Sequence, residues 1–266
     1  MLLSLMAWMQ IFLMVVDFSI DEFLGGKLKI KQPKKGYRAG IDPVLLAASV
    51  NASKGDNILE LGCGVGVASL CLAKRVAGLN IYGVEIQSDY AAFATENSQL
   101  NSMDLNVVSA DIGRLPNIVK QIQFDHVMAN PPYFERLAST MSLNLGRDAS
   151  RILQTPLSDL VSVIAQRLKQ KGWAHLIYRI DLFDKLFPLL TARFGIFVLT
   201  PIVPREDMEA ELIMIHMRKS GKAALRLESP LRLHKGHSHT SDASDYTEKV
   251  ESILRGQGQL TSWIKK

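Results

Sequence analysis

The sequence predicts an α/β protein with a Rossmann-like, doubly wound and mostly parallel β-sheet. Short apolar segments alternate with amphipathic segments over residues 57–193, and this order produces parallel strands joined by crossover helices. A glycine-rich turn follows the first of these strands, as in sheets that bind nucleotides. The last two predicted strands have no helix between them, which predicts an antiparallel hairpin at one edge of the sheet.

The individual elements follow from hydrophobic periodicity and from turn residues. The predicted strands are 27–31, 57–61, 80–84, 105–109, 124–129, 173–178, 196–201 and 211–217. The predicted helices are 42–50, 67–76, 89–100, 158–169 and 182–193. We expect Asp42 to cap the first helix, with Pro43 at the first helical position, and residues 235–245 to form a loop.

Composition and charge exclude several classes of protein. The chain has 266 residues, of which 47% are hydrophobic and 21% charged, so it can bury a core and is not disordered. We expect a single domain over residues 17–266 with a basic N-terminal element at 23–50. The 2 cysteines exclude a disulfide scaffold and a four-cysteine zinc site. The net charge of +5 permits a polyanionic partner.

The first 16 residues are apolar and carry no charge. A secretory signal begins with a basic segment, and the acidic residues that follow at 17, 21 and 22 also argue against one. No apolar run reaches the roughly 18 residues that span a bilayer. We interpret this segment as an extension from a mis-assigned start; a helix packed on the domain and a membrane contact are the alternatives. We therefore expect a cytoplasmic protein without stable membrane association.

The loop after the second predicted strand has the composition of a cofactor site. Glu60 lies two residues before the first of three glycines, and the loop also includes Cys63; the glycines are Gly62, Gly64 and Gly66. The third glycine is one position too early for a nicotinamide fingerprint, and the lysine of a P-loop is missing. Because an acid at this point repels a pyrophosphate and attracts a cation, the loop predicts S-adenosyl-L-methionine, a sulfonium cofactor. A glycine turn without a ligand is the alternative.

Two acids at the following strand ends extend this prediction. Glu85 comes 19 residues after Gly66, near the offset of about 20 at which an acid accepts hydrogen bonds from ribose hydroxyls. Asp111 follows the next strand and can accept from the adenine amino group, while Ile86 and Ile112 can enclose the ring. The alternatives are an exposed strand-end glutamate and a helix N-cap.

The strand at 124–129 ends in a sequence that predicts catalysis: Asn130, Pro131, Pro132 and Tyr133. Two consecutive prolines force a rigid extended turn at the edge where the cofactor loop lies. The Asn130 side-chain oxygen and the Pro131 carbonyl can accept the two hydrogens of an amino group, which aims its lone pair at the sulfonium methyl. Tyr133 offers a flat face for stacking an extruded planar group. Asn130 therefore also borders the cofactor.

These motifs resemble those of class I amino-methyltransferases, and more narrowly the bacterial tRNA1(Val) adenine-N6 methyltransferase family. The resemblance rests on residues 23–26, 32–46 and 130–134. It implies the class I methyltransferase fold, S-adenosyl-L-methionine without a metal, and methylation of the adenosine immediately 3′ of the anticodon. It also implies that an N-terminal element lies against the methionine end of the cofactor through Arg38, Gly40 and Asp42.

The basic run that precedes Arg38 in this element predicts an RNA contact. Its lysines are expected to contact phosphates, although a solvated edge strand protected by lysine is an equal alternative; they are Lys27, Lys29, Lys31, Lys34 and Lys35. Three histidines crowd the segment 234–239, but neither cysteine nor acid lies at zinc-finger spacing, so we expect no metal.

Several related functions stay open on the sequence. Protein-glutamine methyltransferases share the Asn-Pro-Pro-Tyr motif, but they resemble one another in a separate helical domain before the cofactor loop, where this chain has the basic element 23–50. A guanine-N2 methyltransferase of ribosomal RNA is a second alternative. An inactive methyltransferase-fold protein that binds RNA is a third. We expect a tRNA substrate, while the sequence does not specify an oligomeric state.

Overall fold

The computed structural model describes residues 17–131, 156–238 and 244–264, and in this part of the chain it shows two sheets flanked by helices. The strands are β1 (Phe18–Phe23), β2 (Leu28–Pro33), β3 (Asn57–Leu61), β4 (Asn80–Glu85), β5 (Asn106–Ser109), β6 (Phe124–Ala129), β7 (Leu168–Arg179), β8 (Ile196–Val203), β9 (Leu212–Arg218), β10 (Arg226–Leu227) and β11 (Leu231–Arg232). The helices are α1 (Asp42–Ser49), α2 (Val67–Arg75), α3 (Ser88–Leu100), α4 (Asn117–Lys120), α5 (Leu157–Arg167), α6 (Phe183–Thr191) and α7 (Glu248–Leu254).

The main sheet has nine strands within the described residues, and its central strands are parallel. The order across it is β5-β4-β3-β6-β7-β9-β8, with β10 and β11 both paired to the outer side of β8. The chain runs from β3 to β4 and β5 on one side and returns to β6 and β7 on the other. This reversal of strand order beside β3 creates a crevice at the carboxyl ends of the strands, where doubly wound sheets bind ligands.

Helices cover both faces of this sheet, which confirms the predicted doubly wound class. On one face, α1, α2 and α7 bury residues such as Leu45, Leu70 and Val250. On the other, α5 and α6 bury residues such as Ile164 and Leu186. Because both faces are covered, the central strands read as nearly continuous apolar runs.

The predicted antiparallel hairpin is confirmed, with a difference in its surroundings. Strand β9 is antiparallel to both β7 and β8, so it lies between two strands that run parallel to each other. The two short strands β10 and β11 then cover the outer side of β8. They are two residues each, too short to produce a readable periodicity.

Most element bounds differ from the sequence prediction by one to five residues, and the differences at two helices have a clear physical reason. The helix expected over 158–169 ends at Arg167, because Leu168 begins a long strand and is fully buried beside β6. The first helix begins at Asp42 itself, with Ile41 in the N-cap position. Asp42 is therefore in the first helical turn and does not cap the helix, which corrects that expectation. In the described residues, no helix is both long and apolar enough to cross a membrane.

A separate two-stranded sheet precedes the main one. Strands β1 and β2 form an antiparallel hairpin in which Asp21 lies opposite Ile30. The sequence prediction found a strand at 27–31 but missed β1, whose apolar residues are interrupted by two acids. The apolar face of β2 is buried through Leu28 and Ile30, so the hairpin is packed on the main domain.

Three buried histidines form a hydrogen-bonded chain across the sheet. His126 on β6, His175 on β7 and His216 on β9 are linked by nitrogen–nitrogen distances of 3.0 and 2.9 Å. The indole of Trp263 stacks on His216 with 4.3 Å between the ring centroids. Burial lowers the pKa of His216 to about 3, and burial with the neighbouring imidazoles places the pKa of His175 well below its usual range. Near pH 7, the imidazoles of His175 and His216 are therefore neutral in the folded chain.

This chain of neutral histidines predicts acid sensitivity. The unfolded chain binds a proton at each histidine near the ordinary pKa of 6.5, whereas folded His216 does so only near 3. The free energy of unfolding should therefore fall as the pH drops from 6.5 toward 3, by up to about 1.4 kcal/mol per pH unit for each such group. Urea unfolding between pH 7.5 and 5 measures this slope. His216→Leu should flatten it and the exposed control His237→Gln should not; equal slopes in all three proteins would contradict the interpretation.

Candidate active site

The register of the sheet brings four functional strand ends to one edge. Leu61 at the end of β3 lies opposite both Val84 on β4 and Ala129 on β6. At the next pair of strands, Glu85 lies opposite Ser109. Because neighbouring strands are about 4.8 Å apart, the residues that follow them share one crevice. Gly62, Glu85, Asp111 and Asn130 thus lie at or just after the ends of four neighbouring strands along this edge.

The glycine loop after β3 fits a bound cofactor. All three glycines have left-handed backbone angles, with φ of +72° at Gly62, +54° at Gly64 and +86° at Gly66. A Cβ atom added at Gly62 or Gly64 would meet no protein atom within 4 Å, so these two positions border open space. A Cβ atom at Gly66 would instead press on Ala94 of α3. The first two glycines therefore suit close approach of a ligand, and the third suits helix packing.

Glu60 is buried beneath this loop, with 3% of its surface exposed. Its Oε2 accepts hydrogen bonds from the Ser69 backbone N–H, at 3.0 Å, and from the Ser69 hydroxyl. Ser69 is in the first turn of α2, where a backbone N–H has no partner inside the helix. Burial raises the pKa of Glu60 to about 8, so a cation beside it would favour its charged form. The structure thus shows a capping role, while a contact with the cofactor stays a prediction.

Glu85 joins the two loops that border the crevice. Its Oε2 accepts from the Gly64 N–H and its Oε1 from the Gln87 N–H, both at 2.9 Å. Burial raises the pKa of this carboxyl even though both hydrogen bonds lower it. A carboxylate offers about four acceptor positions, so the pair that remains can receive the two hydroxyls of a ribose. This geometry fits the predicted cofactor.

The region predicted to contain the adenine ring is formed by residues around β5. Asp111 caps a short 3₁₀ turn, Ile112–Arg114, through a 2.8 Å hydrogen bond from the Gly113 N–H to Oδ1. This is the N-cap geometry that the sequence left open as an alternative, and the adenine contact stays a prediction. Ile86 and Ile112 are both half-buried at the same edge.

The cysteine of the glycine loop points toward the sheet. Cys63 is buried, and a Cβ atom added at Gly83 on β4 would approach its sulfur to 2.8 Å. Glycine at position 83 therefore makes room for the cysteine. Cys71 is also buried, and both thiols are free. Any contact between Cys63 and the cofactor would use the backbone.

The predicted catalytic motif is described only in part. Asn130 directly follows β6 and is half-buried, and Pro131 is buried. Since Ala129 is paired with Leu61, Asn130 begins beside Gly62 of the cofactor loop. Pro132 and Tyr133 lie outside the described residues.

The N-terminal element makes contacts that the sequence did not predict. Arg38 forms an ion pair with Asp21 and donates to the Ser19 hydroxyl at 2.9 Å, so its guanidinium is held by the hairpin. A Cβ atom added at Gly40 would meet no atom within 4 Å, which leaves open space there. Asp42 begins α1.

The predicted RNA-binding lysines are partly engaged within the chain. Lys31 pairs with Glu96 at 2.6 Å, Lys34 pairs with Asp17 at 3.0 Å, and Lys27 donates to the Arg255 carbonyl at 2.8 Å. Lys29 and Lys35 are exposed. The phosphate contacts of these lysines stay a prediction. Although the side chains of Lys29 and Lys35 are solvated, the second backbone edge of β2 is covered by side chains of α3.

Those side chains belong to two asparagines that sequence reasoning missed. Asn97 exchanges hydrogen bonds with the backbone of Lys31, and Asn101 does the same with Lys29. Asn97 also donates to the Val65 carbonyl in the glycine loop, at 2.9 Å. The two asparagines are four residues apart on a helix, and the two lysines that they contact are two residues apart on a strand. This pair of spacings is the only sign in the sequence that the asparagines can bind the strand.

The predicted histidine-rich segment contains a close histidine–carboxylate contact. His234 Nδ1 lies 2.6 Å from Asp245 Oδ1, and its ring stacks on Tyr246. His237 faces Asp207 at 3.4 Å, and His239 lies outside the described residues. Within the described ranges, no three potential ligands gather in a metal-binding group.

A doubly wound sheet with a glycine loop, a buried acid and an Asn-Pro-Pro sequence at neighbouring strand ends is typical of the methyltransferase class. The chain belongs to the methyltransferase small domain family, whose model matches residues 39–176. The match covers the crevice from the N-terminal element through β7.

Curated relatives confirm the narrower resemblance. A protein of a Flavobacteriaceae bacterium, strain 3519-10, named tRNA1(Val) (adenine(37)-N6)-methyltransferase, is 33% identical over 55% of this chain and 61% of its own length. The relative with this name from Haemophilus influenzae is 31% identical over 58% of this chain and 66% of its own length. The chain spans between 38% and 62% of the length of the first five curated relatives that it matches.

Solved structures show the same fold. A protein from Agrobacterium tumefaciens described as a predicted O-methyltransferase superposes with a TM-score of 0.65 and 23% identity, over 83% of this chain and 98% of that one. A T. thermophilus 16S rRNA N2 methyltransferase, solved with AdoMet and guanosine, has a TM-score of 0.56 and 20% identity, over 77% of this chain and 50% of that one. The comparisons confirm the class I methyltransferase fold and support the prediction of S-adenosyl-L-methionine as the cofactor.

The geometry of Glu85 predicts a specific loss of cofactor affinity. Glu85→Ala removes both the ribose acceptor and the support of Gly64, so the Kd for S-adenosyl-L-methionine should rise about tenfold or more. Isothermal titration calorimetry measures this change. Asp89→Ala is the matched control, because Asp89 is an exposed acid in the first turn of α3. Equal affinity of Glu85→Ala and Asp89→Ala would exclude the ribose role.

Proposed function

We propose that this chain is an S-adenosyl-L-methionine-dependent methyltransferase that modifies the N6 amine of an adenosine in tRNA, in valine tRNA beside the anticodon. The observation that carries the proposal is the position of Asn130. It follows β6 directly, and β6 is the strand paired with β3, whose end forms the glycine loop. Asn130 and the glycine loop therefore follow neighbouring strands at the point where the strand order of the sheet reverses.

Asn130 and Pro131 act on the amine of the substrate. The lone pair of an exocyclic amine is delocalised into the ring, which makes the nitrogen a poor nucleophile. Acceptance of its two hydrogens by the Asn130 side-chain oxygen and the Pro131 carbonyl shifts the nitrogen toward tetrahedral geometry and aims its lone pair across the crevice. The cofactor supplies a methyl group on a sulfonium cation.

The cofactor is held by the groups that border the other side of the crevice. Gly62 and Gly64 allow close approach, since a Cβ atom at either position would have no protein atom within 4 Å. Glu85 provides the ribose acceptors, and Asp111 borders the adenine together with Ile86 and Ile112. Pro132 and Tyr133 complete the motif in this proposal.

The hairpin supports an RNA substrate in this proposal. The exposed lysines Lys29, on β2, and Lys35, just after it, belong to the basic N-terminal element, and the whole chain has a net charge of +5. Basic side chains of this kind position phosphates without reading sequence. The relatives named as tRNA1(Val) methyltransferases support valine tRNA as the substrate.

Methyl transfer from labelled S-adenosyl-L-methionine to a panel of unmodified substrates tests the proposal. The panel contains valine tRNA, other tRNAs, ribosomal RNA, DNA and a release-factor-like protein, and the products are read by nucleoside and peptide mass spectrometry. We expect N6-methyladenosine in valine tRNA. Asn130→Ala should lower kcat/KM by about 100-fold or more while cofactor binding stays largely intact. Wild-type turnover in Asn130→Ala would exclude the mechanism.

The same panel separates the alternatives. Label at guanine N2 in ribosomal RNA would favour the activity named for the T. thermophilus neighbour. Label on a glutamine amide would favour a protein substrate, because the amide presents the same type of planar amine to Asn130. Tight cofactor binding with no transfer would discard the tRNA substrate, and absence of cofactor binding would favour an inactive RNA-binding protein.

A further inference from the structure

We propose that Asn97 is a positioning residue that links the basic hairpin to the cofactor loop, so that cofactor binding and hairpin order depend on each other. The inference rests on the cofactor part of the proposed function. It does not require tRNA to be the substrate.

The contacts of Asn97 connect three segments that are distant in the chain. Its Oδ1 accepts from the Lys31 N–H at 2.7 Å, and its Nδ2 donates to the Lys31 carbonyl at 3.0 Å and to the Val65 carbonyl at 2.9 Å. The side chain is fully buried. One amide on α3 thus holds β2 on one side and the glycine loop on the other, with both amide hydrogens used.

The position of Val65 makes this contact relevant to the cofactor. Val65 lies between Gly64, which borders the open crevice, and Gly66, which packs on α3. The Gly64 N–H is bound by Glu85, so the loop is fixed from one side by Glu85 and from the other by Asn97. A buried carbonyl that loses its hydrogen-bond donor costs free energy, so movement of the Val65 carbonyl away from Asn97 is unfavourable.

Asn101 provides an internal comparison one helical turn later. It accepts from the Lys29 N–H at 2.9 Å and donates to the Lys29 carbonyl at 2.8 Å, which repeats the two contacts of Asn97 with Lys31. Its remaining hydrogen bond returns to the Asn97 carbonyl in its own helix. Asn101 therefore anchors the hairpin without a contact to the glycine loop. Asn97 is fully buried and Asn101 is half-buried, so the two are compared by the response of the hairpin to the cofactor and not by stability.

Coupling of this kind is reciprocal. If the cofactor stabilises the loop against Asn97, it also stabilises the Lys31 contact, and anything that orders the hairpin raises cofactor affinity by the same factor. A polyanion bound to the hairpin lysines would then tighten the cofactor site. The relevant substrate chemistry is a phosphate backbone close to the N-terminal element.

Amide hydrogen exchange in the wild-type chain tests the link directly. Saturating S-adenosyl-L-methionine should slow exchange in the loop 62–66, and at the Lys31 amide by about fivefold or more, because opening of that contact competes with binding. The Lys29 amide, bound to Asn101, should slow less. Slower exchange in the loop with no change at Lys31 would overturn the inference and leave the proposed cofactor standing. Absence of any binding would overturn both.

Paired variants give a second readout. Asn97→Ala should raise the Kd for S-adenosyl-L-methionine about fivefold or more, and exchange in the peptide 28–33 should no longer respond to the cofactor. Asn101→Ala should speed exchange in that peptide but keep both the response and an affinity within about twofold of wild type. Thermal unfolding of both variants checks that each is folded. Equal changes in cofactor affinity for the two variants would show that hairpin anchoring alone is responsible.

Discussion

The site depends on one constraint, the parallel register of β3 with its two neighbours. Leu61 is paired with Val84 on one side and with Ala129 on the other, so three strands end at the same level. Backbone hydrogen bonds set this level, and a slip of one residue would turn every core side chain to the opposite face. The side chains that follow the strands are brought together because the sheet cannot pair in another way. The strand register is thus what brings the glycine loop, the acid and the amide close together at one edge of the sheet.

Burial then determines what these groups can do. Glu60 and Glu85 are carboxyl groups in a low-dielectric crevice, and burial raises the pKa of each. Each is stabilised there by backbone N–H groups, those of Ser69 for Glu60 and of Gly64 and Gln87 for Glu85. A buried acid that is partly satisfied by the backbone still gains from a nearby cation or hydroxyl. This is a physical reason for a sulfonium cofactor with a ribose, independent of any resemblance.

Much of the fold could be predicted from the sequence because its signals are local. Strands β3 and β6 have the predicted bounds, and the glycine turn and the acids at strand ends occur where periodicity places them. The sequence analysis did not predict strand β1 or the short strands β10 and β11, because their stability comes from pairing with other parts of the chain. The end of α5 was missed for a related reason: Leu168 suits a helix or a strand equally, and only its packing beside β6 decides.

The parts of the site that the sequence could not predict are contacts between elements distant in the chain. Asn97 and Asn101 look like ordinary polar residues of an amphipathic helix, and nothing local shows that they replace a neighbouring strand for β2. The match arises because residues four apart on a helix and two apart on a strand advance by similar lengths, about 6 and 6.6 Å. Two side-chain amides can therefore cover an edge that would otherwise be exposed to pairing with another chain. That Asn97 also binds the glycine loop means that the edge and the cofactor site share one hydrogen-bonding group. A change at the edge of β2 should then alter the cofactor site, and a change at the cofactor site should alter the edge of β2.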